Sequence, residues 1–197
     1  LDNTTSADRI VSAFGDEVQI AKITGYLNKA ERVLVCGRGS SGLSAKEMEI
    51  RFMRIGVNVD SLSDSDMMRM SSVFQNKNSL VLGFSISGER EEVLYLLKES
   101  YNKGAKTVLF TSKSRAEFDE YCSEVVLLPS LKHLNHGNLI SPQFPILVML
   151  DIIYAYYVEQ NKYIREGMHD STLRALEERE KRNKRSEEHT SELQSPC

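Results

Sequence analysis

Val33-Leu34-Val35-Cys36 runs directly into Gly37-Arg38-Gly39-Ser40-Ser41-Gly42, and Leu80-Val81-Leu82-Gly83-Phe84 runs into Ser85-Ile86-Ser87-Gly88-Glu89. Each is a short apolar run of strand type that ends in a serine-glycine loop, and a helix-like stretch follows each loop. Such a loop offers hydroxyls and backbone N–H groups at a helix N-terminus, a setting suited to a phosphate. Two of them in one small domain point to a ligand that is phosphorylated and also rich in hydroxyls, as a phosphosugar is.

Outward from these loops the chain alternates strands and helices. Asp8 to Lys29 reads as helical, with Ile10, Phe14, Val18 and Ala21 near helical spacing and a break at Gly15-Asp16. Strands are expected at Arg32–Cys36, Val57–Asp60, Leu80–Phe84, Thr107–Thr111 and Val125–Leu128. The helix after the first loop turns Ala45, Met48, Phe52 and Ile55 inward and stops at Gly56. Further helices are expected at Asp64–Gln75, Glu89–Asn102 and Ser114–Cys122, and 132–140 reads as a loop containing His133 and His136. Ser141-Pro142 reads as an N-cap and a first-turn proline, opening a buried helix to about Asn161. Tyr163 to Lys184 is charged and helical in pattern.

Near-continuous apolar strands between helices predict an α/β fold, a three-layer sandwich around a five-stranded parallel sheet covered on both faces. The commonest order for such a flavodoxin-like sheet is 2-1-3-4-5, in which strands one and three flank the crevice where ligands bind. Both serine-glycine loops follow those strands, so topology brings them into one pocket.

The 197 residues suit one domain with appended pieces: 1–30 a helical segment or linker, 31–162 the ligand-binding domain, 163–184 a charged helix. Net charge is −3, so nothing global points to nucleic acid or an anionic membrane. The longest apolar run, Phe144 to Val158, is interrupted by Asp151 and falls short of the ~20 residues of a membrane span. Cys36, Cys122 and Cys197 lack metal-ligand spacing, so no metal is expected, and reduced buried thiols imply a cytoplasmic home. A start at Leu1 rather than Met is expected of a fragment, and no signal peptide opens it. Arg185 to Ser195 resembles the translation of a sequencing adapter, so 185–197 is set apart as an artefact expected to lack a packed position.

The first loop satisfies G-x-G-x-x-G, and Asp60 stands 18 residues beyond Gly42, which together form a dinucleotide fingerprint. A dinucleotide fold, however, has no need for Ser-x-Ser-Gly after strand three, so no cofactor is expected. A blander alternative is that the glycines only make tight strand-to-helix turns and the serines only cap helices.

Gly37, Gly39 and Ser41, then Arg54-Ile55-Gly56, then Ser85, Ser87 and Gly88, then Lys103-Gly104-Ala105-Lys106, together resemble the sugar isomerase (SIS) domain over roughly Ile10 to Gln160. Arg54-Ile55-Gly56, Asp64–Met70 and Leu150-Asp151-Ile152-Ile153-Tyr154 most resemble the effector domain of RpiR-type transcriptional regulators. The resemblance implies that Ser85, Ser87 and the backbone of Gly88 hold a phosphate, with Ser40 and Ser41, beside Gly39, on phosphate or sugar hydroxyls. It implies a phosphorylated sugar or amino sugar as effector, and DNA contact only through an N-terminal helix-turn-helix domain outside this fragment. This fragment itself is therefore expected not to bind DNA specifically. Arg90 stands where the family pattern has a threonine. Its guanidinium either forks onto the phosphate or turns outward to Glu89, Glu91 or Glu92.

The alternative from the same resemblance is a stand-alone sugar-phosphate isomerase, which needs a general base beside the sugar C1–C2. Such isomerases commonly place a glutamate eight residues before the aspartate of the last helix, where this chain has Gln143. Many have histidine where Arg54 stands. Glu47, Glu49, His133 and His136 are the remaining candidates, and His169 reads as solvent-facing. With no catalytic residue assigned, a binding module is the expected class. Ile10, Phe14 and Val18 with Ile152, Ile153, Tyr156 and Tyr157 suggest a homodimer or a dimer of dimers, unless they pack on their own sheet.

Overall fold

A computed structural model describes residues 16–129, 141 and 143–193. Five parallel strands form one sheet in the order β2-β1-β3-β4-β5: β1 Arg32–Gly37, β2 Val59–Leu62, β3 Ser79–Phe84, β4 Lys106–Thr111 and β5 Glu124–Leu127. The helices are α1 Glu17–Lys29, α2 Ser40–Arg54, α3 Ser65–Ser72, α4 Glu91–Asn102, α5 Phe144–Gln160 and α6 Lys162–Leu193, with a 3-10 turn at Arg115–Glu117. This is the anticipated order and layering.

The period of two along each strand explains both covered faces. Val33 and Val35, Leu80, Leu82 and Phe84, and Val108 and Phe110 face a core closed by α1, α2 and α5. Leu34 and Cys36, Val81 and Leu109 face the opposite core, closed by Met68 of α3, Val93, Leu96 and Leu97 of α4, and Phe118. A strand with apolar side chains on both faces can only be buried, hence the unbroken runs in the sequence. Burial pushes the Cys36 thiol up to about 12, so it is an inert packing group.

Several boundaries differ from the sequence reading. The second strand begins at Val59 rather than Val57, because Val57 donates to Phe52 O (3.0 Å) and Gly56 to Met53 O (3.0 Å). That pair of bonds closes α2 and commits Val57 to the turn. The first helix is described from Glu17, capped by Asp16, whose Oδ1 accepts from Val18 N and Gln19 N. Ile10 and Phe14 lie outside the described residues. Ser114–Cys122 is no regular helix: a 3-10 turn ends at Glu117, and Phe118 is drawn into the core. The last core helix opens at Phe144 with Pro145 in its first turn, rather than at Pro142. Ser141 still accepts from Gln143 N, but as a turn ahead of the helix. α6 continues past Lys184 to Leu193, where Arg185, Glu187, Glu188, Glu192 and Leu193 are good helix formers. The side chains beyond 179 lie outside the described residues, so the packing expected of the tail does too.

Ile152, Ile153 and Tyr157 are buried in the chain's own core, not offered for self-association. α5 is apolar on most of its circumference, apart from exposed Asp151 and Glu159, because α1, α2 and the sheet together cover it.

A buried carboxylate ties the edge of the sheet to the first helix. Glu124 opens β5 at 3% exposure and accepts from Lys22 Nζ (3.0 Å), Gln19 Nε2 (3.1 Å) and Arg115 Nη1 (3.4 Å). Burial pushes this carboxyl up, but Gln19, Lys22 and Arg115 outweigh it and hold it below the ordinary value of 4.5. A group lowered in the folded state adds stability above its unfolded value, and that stability is lost as pH falls through the folded one. Glu124→Gln should therefore cost about 1–2 kcal/mol at pH 7, moderate because Lys22 and Arg115 are half exposed. Denaturant unfolding from pH 7 downward should show the deficit shrinking below about pH 4.5. A deficit constant with pH would show that shape rather than charge matters at Glu124.

Candidate functional site

Both serine-glycine loops leave the same edge of the sheet side by side, since β1 and β3 are paired and Gly37 stands opposite Phe84. In the first loop, a Cβ on Gly37 would lie 2.6 Å from Ser41 O, so only glycine lets α2 start this close to its strand. Gly39 caps α2 with φ +56°, and Ser40 and Ser41 form its first turn, both half-buried. The N–H groups of Gly39 and Ser40 have no acceptor among the described residues.

In the second loop Ser85 is buried and Ser87 exposed. Gly88 N donates to Ser85 O (2.9 Å), forming a tight turn with Gly88 at φ +66°. Ser87 Oγ accepts from Glu89 N (3.3 Å), and Ser85 Oγ from Arg90 N (3.4 Å). Both bonds are long, and both hydroxyls keep a proton to donate. The blander reading is thus partly right: the glycines do make tight turns, but the serine hydroxyls reach Glu89 N and Arg90 N ahead of α4 and cap no N–H of its first turn. The open N-terminal turns of α2 and α4 converge on one patch all the same, and each adds the positive end of its dipole.

A third segment, which the sequence reading passed over, completes the patch. Thr111, which ends β4, and Ser112-Lys113 after it lie at the same edge. Ile86 O accepts from Ser112 N (2.9 Å), Ser112 Oγ (2.7 Å) and Thr111 Oγ1 (3.2 Å), which clamps the second loop in place. Reading the residues after every strand, rather than only after the glycine-rich ones, would have found it.

Arg38, Arg90 and Lys113 bring positive charge to the patch. Arg38 donates to Ser63 O (2.7 Å) and lies 3.7 Å from Glu92; Lys113 lies 3.5 Å from Glu89. Glu91 pairs with Arg69. Each glutamate considered for Arg90 is thus engaged elsewhere, and Arg90 makes no ion pair among the described residues.

Beside the first loop a cleft of about 440 Å³ separates α2 from α5, lined by Ser44, Glu47, Arg51, Gln143, Leu147 and Asp151 among others. An Arg51–Asp151 pair (2.5 Å) stands in it, with the guanidinium over the Tyr154 ring. Glu47 and Gln143 share this cleft, but Glu49 does not. Glu49 accepts from Ser61 N (2.9 Å), from the Ser61 hydroxyl and from Lys46 Nζ (2.5 Å). Partial burial pushes its carboxyl up, yet Lys46 and Ser61 outweigh that and hold it below the ordinary value, the wrong direction for a general base. His133 and His136 lie outside the described residues. His169, read as solvent-facing, is half-buried on α6 beside Arg165, because Arg165 Nη1 binds Ile55 O (3.0 Å) and draws α6 onto α2.

Asp60, the acid of the dinucleotide fingerprint, is mid-strand and pairs with Arg32 (3.0 Å) rather than standing at the tip of β2. Among the described residues no set of three His, Cys, Asp or Glu converges as a metal site, and no helix is long and apolar enough to cross a membrane.

The model of the SIS domain family matches residues 26–154. An HTH-type transcriptional regulator of Haemophilus influenzae is 30% identical over 161 residues, which cover 82% of this chain and 56% of that protein. The chain spans about half the length of the curated relatives it matches. Among solved structures, the Vibrio vulnificus NanR protein complexed with ManNAc-6P superposes with a TM-score of 0.73 at 19% identity, over 87% of this chain and 64% of that one. The sugar isomerase domain of an RpiR transcription factor from Sphaerobacter thermophilus superposes at 0.71 with 15% identity, over 85% and 92%. At these identities the structural likeness speaks for the fold.

Proposed function

The chain belongs to the SIS domain family, and from that premise we propose that it is the phosphosugar-sensing effector domain of a bacterial RpiR-type regulator of carbohydrate metabolism. The observation that carries the reading is the convergence of Gly39, Ser40 and Ser41 with Ser85, Ser87 and Gly88 on one edge, where α2 and α4 both begin. The phosphate sits against Ser87 and the Gly88 backbone, with Ser85 beneath and Arg90 free to fork onto it. The sugar extends toward Ser40, Ser41 and the α2–α5 cleft. Similarity to HTH-type regulators supports a DNA-binding partner domain, and such a regulator works in the cytoplasm.

Sensing is favoured over isomerisation because Gln143 stands where the resembling isomerases place a glutamate, and Glu49 is spent on Ser61; Glu47, in the same cleft, is the carboxylate an isomerase would have to use. Exposed Leu43, Ile50 and Met53 along α2 make this helix the surface for pairing two copies. A two-fold dimer would suit a palindromic operator.

The test is a thermal-shift screen of hexose phosphates, amino-sugar phosphates and N-acetylated phosphosugars beside their unphosphorylated parents. A ligand at 100 times its Kd should add roughly 2.7 kcal/mol of stability. Stabilisation by phosphosugars and not by the parent sugars is expected. Equal response to both, or turnover of a phosphosugar in the same samples, would overturn the sensor reading.

A further inference from the structure

We infer that Lys113 is an anion-binding residue of this site and that Glu89 occupies it as an internal competitor of the phosphate; this rests on the reading of Ser85–Gly88 as the phosphate loop. The Lys113 stem lies across the apex of that loop: a Cβ on Gly88 would stand 2.7 Å from Lys113 Cγ. Its backbone is held there, since Lys113 N donates to Thr111 Oγ1 (3.2 Å), and Thr111 and Ser112 are bonded to Ile86 O. The ammonium alone is left free to choose a partner.

Its present partner is a poor one. Lys113 Nζ and Glu89 Oε1 are 3.5 Å apart, with 41% and 71% of their side chains exposed. A well-formed ammonium–carboxylate bond is about 2.7–2.9 Å, and exposed pairs contribute little. Arg38, by contrast, is anchored by its 2.7 Å bond to Ser63 O. An anion seated at Ser87 and Gly88 lies within the sweep of the Lys113 side chain and carries more charge than one carboxylate. Lys113 moves to that anion by side-chain rotation alone. Glu89 then stands unpaired beside a phosphate, which opposes binding. Glu89 offsets the Lys113 charge beside the loop and so sets a threshold that a weakly charged ligand does not pass.

The experiment titrates inorganic phosphate into wild type, Glu89→Gln, Lys113→Met and Ser87→Ala by calorimetry, at low and high salt. Thermal unfolding without phosphate checks that each variant is folded. Removing the competitor should tighten phosphate binding about threefold in Glu89→Gln. Removing the cation should weaken it about tenfold in Lys113→Met and flatten the salt dependence. Unchanged affinity in Lys113→Met, or unchanged or weaker affinity in Glu89→Gln, alongside a loss in Ser87→Ala, overturns this inference and leaves the phosphate loop standing. Wild-type affinity in Ser87→Ala, or no phosphate binding by wild type, overturns the loop assignment and this inference with it. Should Lys113→Met fail to fold, Glu89→Gln decides alone, because it removes nothing that packs on Gly88.

Discussion

Gly37→Ala should destabilise the protein by about 3 kcal/mol, the upper end for overpacking a filled site. The new methyl would meet the backbone of α2, Ser41 O at 2.6 Å and Ser41 C at 2.7 Å, and a helix cannot yield as a side-chain tip can. Relief requires α2 to withdraw from β1, which also loosens Ala45, Met48 and Phe52 in the core. Gly88→Ala should cost about 2 kcal/mol for a different reason: φ +66° strains any L side chain. Of its neighbours, the Lys113 stem can move aside. Chemical denaturation of the two variants beside wild type reads both values. If Gly37→Ala unfolds within 0.5 kcal/mol of wild type, α2 does not approach the strand this closely.

Ser87→Ala should weaken phosphosugar binding by roughly 1.5–3 kcal/mol, about tenfold to a hundredfold or more, the range for a hydrogen bond to a charged group. Stability should barely change, because Ser87 is exposed and accepts only one long bond from Glu89 N. Ser85→Ala should differ, losing affinity and stability together, since Ser85 is buried under the turn. Calorimetry against the phosphosugars of the screen measures the first, and thermal unfolding the second. Arg90→Thr in the same series separates two roles. As a phosphate ligand, Arg90 makes wild-type binding more salt-sensitive, and the variant binds more weakly. Equal affinities and equal salt slopes would place Arg90 at the surface. Unchanged affinity in Ser87→Ala would remove the phosphate from this loop.

The sheet and its order were legible in the sequence for a physical reason. Strands buried on both faces must be apolar throughout, so Val33–Cys36 and Leu80–Phe84 announce themselves locally. The doubly wound topology then allows few arrangements, and adjacency of the two loops follows. Glycine spacing was legible for the same kind of reason, since close approach and positive φ each demand that residue. The limits of elements were less so. The start of β2 depends on which N–H groups the end of α2 consumes, and the start of α5 on which of two prolines lies in the first turn.

Partners of long charged side chains are decided by tertiary structure alone. Sequence proximity leaves Glu89, Glu91 and Glu92 as one of two alternatives for Arg90, yet those three reach Lys113, Arg69 and Arg38 from three other segments. The sequence places Glu124 only as the polar edge of an apolar run, whereas the fold surrounds it with Gln19, Lys22 and Arg115. Likewise, Ile152, Ile153 and Tyr157 look like spare surface until α1 and α2 cover them. Backbone conformation and burial pattern are written in neighbouring residues because sterics and the hydrophobic effect act at every position along the chain. Which charge meets which, and which of two serines in one loop is buried, depends on segments far apart in sequence, and only packing brings those together.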